Sequence, residues 1–184
     1  MAITDDALET SRPLDICPPE QYQQSMMEGE QIFFTYVDRA RNVITGYKLR
    51  KDLVALKVWS MNLDKQGEKI MRVETQFQTA SAVDHLHFTP TAFSGENIIY
   101  KHKDSKIFAL ATVSTHNGGE EPDLIIYLIN GVSGKVIHRY FERKVRLDLP
   151  MDIVLSEHLF ILAFQRQTSN GLSQQELTVT ELYS

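Results

Sequence analysis

Two apolar runs, Leu124-Ile125-Ile126-Tyr127-Leu128-Ile129 and Leu159-Phe160-Ile161-Leu162-Ala163-Phe164, restrict the architecture more than any other part of the chain. Both are short and rich in β-branched and aromatic residues, so they read as strands. Successive side chains of a strand point to opposite sides. Both faces of these strands are therefore apolar, and both need cover. A sandwich leaves the outer face of each sheet polar. A parallel sheet is covered on both faces, but by crossover helices, and helical periodicity is scarce here. A β-propeller meets the requirement with strands alone, because each blade packs between two neighbours.

The hairpin from which such a blade is built lies in Tyr127-Leu128-Ile129-Asn130-Gly131-Val132-Ser133-Gly134-Lys135-Val136-Ile137-His138. Asn130 and Gly134 bracket its reversal, and Asn and Gly enter the left-handed region at low cost. A shorter echo runs from Tyr36 to Tyr47, with Asp38 in the place of Asn130 and Asn42 in the place of Gly134. Blades recur at roughly 40–50 residues. The spacing of the two copies fits two blades, or one blade carrying a long insertion.

From Gln31 onward the pattern is almost wholly β. It predicts strands over Gln31 to Val37, Val43 to Leu49, Val54 to Asn62, Lys69 to Gln76, Asn97 to Lys101, Lys106 to Ser114, Asp123 to Ile129, Lys135 to Phe141, Met151 to Leu155, Leu159 to Gln165 and Gln175 to Tyr183. The fold class is all-β, a partial β-propeller of two to three antiparallel blades over residues 31–184. Residues 1–30 hold Pro13, Pro18 and Pro19 without apolar periodicity and read as a flexible lead, with one helical turn after Pro19. Loops are expected at Thr115 to Pro122, at Arg166 to Ser173 and, longest of all, at Phe77 to Glu96.

With 42% hydrophobic and 23% charged residues among 184, the chain can bury a substantial core. Its net charge of −5 argues against broad affinity for nucleic acid. The densest basic run, Arg139 to Arg146, is interrupted by Glu142 and followed by Asp148, and reads as a solvated connection between strands. Cys17 is the only cysteine, so no disulfide closes within the chain. The start lacks a basic region and an apolar run, so no signal peptide is expected, and no segment approaches the ~20 apolar residues of a membrane span.

Several segments, taken together and in order, carry a family resemblance. They are Ile32-Phe33-Phe34 with Val37-Asp38, Gly46 to Leu53 and Trp59, Ile98-Ile99-Tyr100-Lys101, the Tyr127 to His138 hairpin, Val154 to His158, and Leu177 to Tyr183. From about Gln31 to Tyr183 the chain resembles the lumenal part of the subunit 1 family of the endoplasmic-reticulum membrane protein complex. The resemblance implies lumenal propellers in a membrane-anchored, non-enzymatic scaffold. It also implies the other subunits of that complex and membrane-protein clients as partners, in a machine that inserts transmembrane segments. The chain departs from the family at Asn130, where an Asp is usual, and at Leu147-Asp148-Leu149-Pro150, where the family's connection before the Met151 strand is shorter. Family members are several times longer, with a signal peptide and a membrane anchor, so the chain is expected to be an internal piece, a truncated product or an expressed fragment.

Candidate chemistry is sparse. His85-Leu86-His87 offers two alternate side chains on one side of an extended segment, but His102 and His116 complete no zinc pattern, and polar loop histidines are the reading adopted. Ser156-Glu157-His158 holds the residue types of a triad, yet neighbours on one turn cannot take up the mutual geometry of nucleophile, base and orienter. It reads as a hairpin turn. Phosphate-cradling and dinucleotide glycine motifs are missing. The blade rhythm also resembles quinone-cofactor dehydrogenases, whose blades are locked by recurring tryptophans and whose cofactor needs a calcium site. Trp59 is the only tryptophan, and it reads as a bulky residue near a blade edge. No residue is assigned a catalytic, cofactor-binding or metal-binding role. A quinone oxidoreductase propeller and a generic soluble interaction propeller are the alternative readings.

Overall fold

The computed structural model describes residues 2–3, 31–52, 54–75, 91–93, 97–99, 106–114, 122–156, 159–168 and 170–183. Their strands are β1 (Ala2–Ile3), β2 (Phe33–Asp38), β3 (Val43–Leu49), β4 (Val54–Asn62), β5 (Glu68–Thr75), β6 (Thr91–Phe93), β7 (Asn97–Ile99), β8 (Ile107–Ser114), β9 (Asp123–Asn130), β10 (Val136–Glu142), β11 (Asp152–Ser156), β12 (Leu159–Gln167) and β13 (Ser173–Glu181). They form three blade sheets, ordered β1-β4-β3-β2, β10-β9-β8-β5 and β11-β12-β13, and a separate β6-β7 pair. The architecture is an all-β partial propeller. The chain divides into two compact units, Met1–Lys69 with Asn130–Lys135, and Ile70–Ile129 with Val136–Ser184.

In the first unit β2, β3 and β4 form an antiparallel meander, and β1 joins β4 in parallel through Ala2 opposite Val54 and Ile3 opposite Ala55. The β2–β3 reversal uses the turn chemistry expected of it. Asp38 Oδ1 accepts the Arg41 N–H at 3.0 Å, and Asn42 takes a φ of 49°, a left-handed conformation that Asn tolerates. The central strand is covered on both faces, with Ile44, Thr45, Gly46 and Tyr47 buried in succession. A 3₁₀ turn, Asp64–Gln66, ends this sheet, and Gly67 closes it at φ 67° by donating to Asp64 O at 3.0 Å.

Within the second unit the sheets of β9 and β12 share one core. Ile107, Ala109, Leu124, Ile126 and Leu128 meet Ile153, Leu155, Phe160, Leu162 and Phe164. Tyr140 stacks on Phe160 with ring centroids 4.7 Å apart. Around this core the polar ties are local. Arg72 of β5 donates to Met151 O at 2.9 Å, and Arg166 of β12 reaches Glu142 of β10 at 2.6 Å and Glu176 of β13 at 2.8 Å. Every residue of β9 from Asp123 to Ile129 is buried, so the first apolar run is covered on both sides as expected. The second run is not. On β12, Phe160, Leu162 and Phe164 are buried while Ile161 and Ala163 are half-exposed.

Three further expectations need adjustment. The long loop 77–96 contains β6, which pairs with β7 over only three residues and so leaves little trace in the pattern. The basic run is no simple solvated connection: Arg139 belongs to β10, and Val145 is buried and bridges to Arg166. Lys144, at φ 59°, turns the chain so that its carbonyl accepts from Gln167 and Arg146 donates to Gln165. The two hairpin copies lie in successive sheets, with β6–β7 inserted between β5 and β8, which selects one blade with an insertion over two blades. Of the expected lead 1–30, only Ala2 and Ile3 fall among the described residues.

Candidate functional site

His85, His87, His102, His116, Glu157 and His158 lie outside the described residues, while Ser156 ends β11 opposite Leu159. Among the described residues there is no group of three or more His, Cys, Asp or Glu able to hold a metal ion. No helix among them is long and apolar enough to cross a membrane. The arrangement is one of packing surfaces and a turn held by a single aromatic side chain.

That side chain is Trp59. The register of β3 and β4 shifts between Gly46 and Tyr47, whose partners are Trp59 and Lys57, so Val58 is an extra residue on β4. A bulge of this kind bends the strand and re-aims the next side chain. The indole then lies over Gly46, where an added Cβ would overlap Nε1. Its other contact is the reversal after β9. Nε1 donates to Gly131 O at 3.0 Å, and a Cβ on Gly134 would stand 2.5 Å from Cδ2.

The reversal is itself well braced. Asn130 Oδ1 accepts from Val132 N at 3.0 Å, from Ser133 N at 2.9 Å and from Ser133 Oγ at 3.1 Å. Gly134 N donates to Asn130 O at 2.8 Å, and Gly134 sits at φ 70°. The Asn and Gly singled out in the sequence thus make a rigid loop, and glycine at 134 serves both the left-handed backbone and the close approach of the indole. Residues Asn130–Lys135 accordingly group with the first unit. The expectation for Trp59, packing near a blade edge, understated its role. Its partner carbonyl is 72 residues away and carries no periodic signal. The only hint was a lone tryptophan in a chain whose two hairpin copies both end in a left-handed residue.

The other surface is the outward face of the β11-β12-β13 sheet. Val154 pairs with Ile161 and Ile161 with Val179, while Ala163 pairs with Leu177, so these residues adjoin on one face. Val154, Leu177 and Val179 are 46%, 66% and 56% exposed. Two titratable groups on the inward side are shifted by their surroundings. Burial pushes the Tyr140 phenol above its ordinary value, the Thr180 hydroxyl acting weakly in the other direction. For Arg166, burial alone favours the neutral form, but Glu176 and Glu142 outweigh it and hold the guanidinium above its usual value.

This combination of blade sheets and braced turns agrees with the comparisons. The family model described as ER membrane protein complex subunit 1, second beta-propeller, matches residues 6–184. The chain belongs to this family. Among curated relatives, ER membrane protein complex subunit 1 of Xenopus laevis is 30% identical over 161 residues, covering 88% of the chain. The protein of that name from Gallus gallus is 28% identical over 155 residues, covering 84%. The chain spans about 15% of the length of either relative.

Proposed function

We propose that the chain is a non-enzymatic scaffold portion of subunit 1 of the endoplasmic-reticulum membrane protein complex, on the lumenal side. There it supports a machine that inserts transmembrane segments and assists membrane-protein biogenesis. The observation that carries this reading is the family match across residues 6–184. The structural features agree with it in kind. Buried residues serve sheet stacking, the braced turn fixes one sheet to a neighbouring reversal, and the outward surfaces are apolar or ion-paired. These are the means by which a propeller holds other proteins in place, with residues 31–184 as blades and residues 1–30 as their lead.

Its partners on this reading are the other subunits of the complex, together with membrane-protein clients. The test is purification of the tagged full-length protein from detergent-solubilised endoplasmic-reticulum membranes. The expected result is recovery of the other subunits in constant ratio, with the region of this chain protected from protease until the membrane is permeabilised. Recovery of the protein alone, or cleavage of this region in sealed vesicles, would refute the reading.

A further inference from the structure

We propose that the outer edge of β10 takes up an extended, acidic segment of another protein as an added antiparallel strand. This goes beyond the scaffold reading and does not depend on which proteins surround the chain. β10 is the edge strand of its sheet, and among the described residues its only strand partner is β9, which it meets antiparallel from Val136 to Glu142. Every second N–H and C=O of such a strand points away from its partner. A row of these groups is a template for a further strand. The ladder slips once, between Val136 and His138, so the regular part of the edge runs from His138 to Glu142.

The two faces of β10 differ. Tyr140 stacks on Phe160, and Glu142 is ion-paired with Arg166 at 2.6 Å, so that face is occupied by the β12 sheet. The other face carries Arg139 and Phe141, both exposed, opposite Tyr127 and Ile125. The Arg139 guanidinium carbon lies 5.4 Å from the centre of the Tyr127 ring, and that of Arg143, just past the strand, lies 5.5 Å from the centre of the Phe141 ring. Lys144, also exposed, follows. The result is a cation, an aromatic ring and a second cation in line, while the strand's only carboxylate, Glu142, faces the other way and is already bonded.

That line selects the occupant. An added antiparallel strand sets its side chains opposite those of β10, where opposite charges attract and like charges repel. A segment reading acidic residue, spacer, apolar residue, spacer, acidic residue would set its carboxylates against Arg143 and Arg139 and its apolar side chain against Phe141. Main-chain hydrogen bonds give such a complex its affinity, and the alternate side chains its specificity. The cations that admit an acidic strand turn basic ones away. A second copy is turned away as well, since two β10 strands centred on Phe141 would bring Arg139 of each opposite Arg143 of the other. Broad attraction to nucleic acid is opposed by the net charge of −5.

The test is fluorescence anisotropy of the full-length protein with a labelled, threonine-rich peptide of about ten residues that carries Glu, Phe and Glu at alternate central positions. Saturable binding is expected, weakened by about ten-fold or more in Arg143→Glu. It should return when the first Glu of the peptide is Lys, the position that antiparallel addition sets against residue 143. This recovery also shows that the variant is folded. Of two peptides N-methylated at alternate residues, the one whose methyl groups face β10 should no longer bind. The proposal is overturned by absence of binding, by unaltered affinity in Arg143→Glu, by a lysine peptide that fails to restore it, or by both methylated peptides binding as the parent does. Vesicles containing phosphatidylserine that bind as tightly through Arg143 would assign the edge to a lipid surface and overturn it too.

Discussion

Replacing Trp59 by alanine removes an indole that a β-bulge has aimed between two glycines. Full burial of tryptophan covers 150–250 Å². Trp59 is half-buried, so roughly 100 Å² at ~25 cal/mol per Å² gives ~2.5 kcal/mol. The hydrogen bond from Nε1 to Gly131 O adds ~1 kcal/mol. Trp59→Ala should therefore cost ~3.5 kcal/mol, and Trp59→Phe less, since it keeps most of the packing. Gly46→Ala should cost a similar amount by displacing the ring, as its Cβ would overlap Nε1. Gly134→Ala combines the clash with a φ of 70°, whereas Gly171→Ala has a φ of 76° and open space around it. The second substitution thus isolates the backbone strain, ~1 kcal/mol.

The assay is urea unfolding of the 184-residue chain at concentrations where it is monomeric, followed by far-UV circular dichroism. For the glycine variants, the emission of the single tryptophan serves as a second probe. A double-mutant cycle decides the matter. Once Trp59 is alanine, Gly46→Ala should be nearly neutral, and Gly134→Ala should cost no more than Gly171→Ala. Additive costs, or a Gly134→Ala variant no worse than Gly171→Ala in the unsubstituted chain, would refute the clamp.

Three other outcomes are expected. Burial desolvates the Tyr140 hydroxyl beside that of Thr180, so Tyr140→Phe, which keeps the ring stacked on Phe160, should change stability by no more than ~1 kcal/mol in urea melts. Because its folded pKa is raised, the unfolded state loses the phenol proton first as pH passes ~10, so stability falls from there upward; the phenylalanine variant should show a shallower alkaline decline. Arg166→Met leaves Glu142 and Glu176 without their shared cation and should cost ~1–3 kcal/mol, with Glu142→Gln recovering part of the loss in the double variant. Finally, the isolated chain should self-associate as its concentration rises, and co-expression with flanking propeller sequence should restore a monodisperse species on size exclusion. A sharp, concentration-independent transition of the chain alone would contradict this.

What could be read in the sequence follows from how local its cause is. The strands from β2 onward were legible almost to the residue where a run of apolar or alternating side chains ended in Asn, Asp or Gly. Asp38 and Asn130 both proved to accept backbone N–H groups from their own turns. Elements set by pairing alone were invisible. β1 is two residues long and β6 three, too short for any period to register. Val145 is a single apolar residue in a charged run, yet it is buried because the chain turns at Lys144. The Trp59 clamp needs a bulge on β4 and a carbonyl from a distant reversal, and neither can be inferred from the residues around position 59.

Equal patterning with unequal burial carries a second kind of information. A strand's sequence reports the environment of the finished assembly, whereas its exposure reports only the neighbours present. In β9 the two agree, and the residues on both faces are buried. In β12 they disagree on one face only, the face it shares with Val154, Leu177 and Val179. Local propensity cannot explain the difference, since the apolar runs of both strands are made of strand-favouring aliphatic and aromatic residues. Nor does a need for solubility, which would have placed polar residues at the centre of that face, as Gln165 and Glu181 stand at its margins. Ile161 and Val179 stand apolar at the centre of a face whose margins are polar, and a contiguous exposed apolar centre of this kind marks a surface suited to contact.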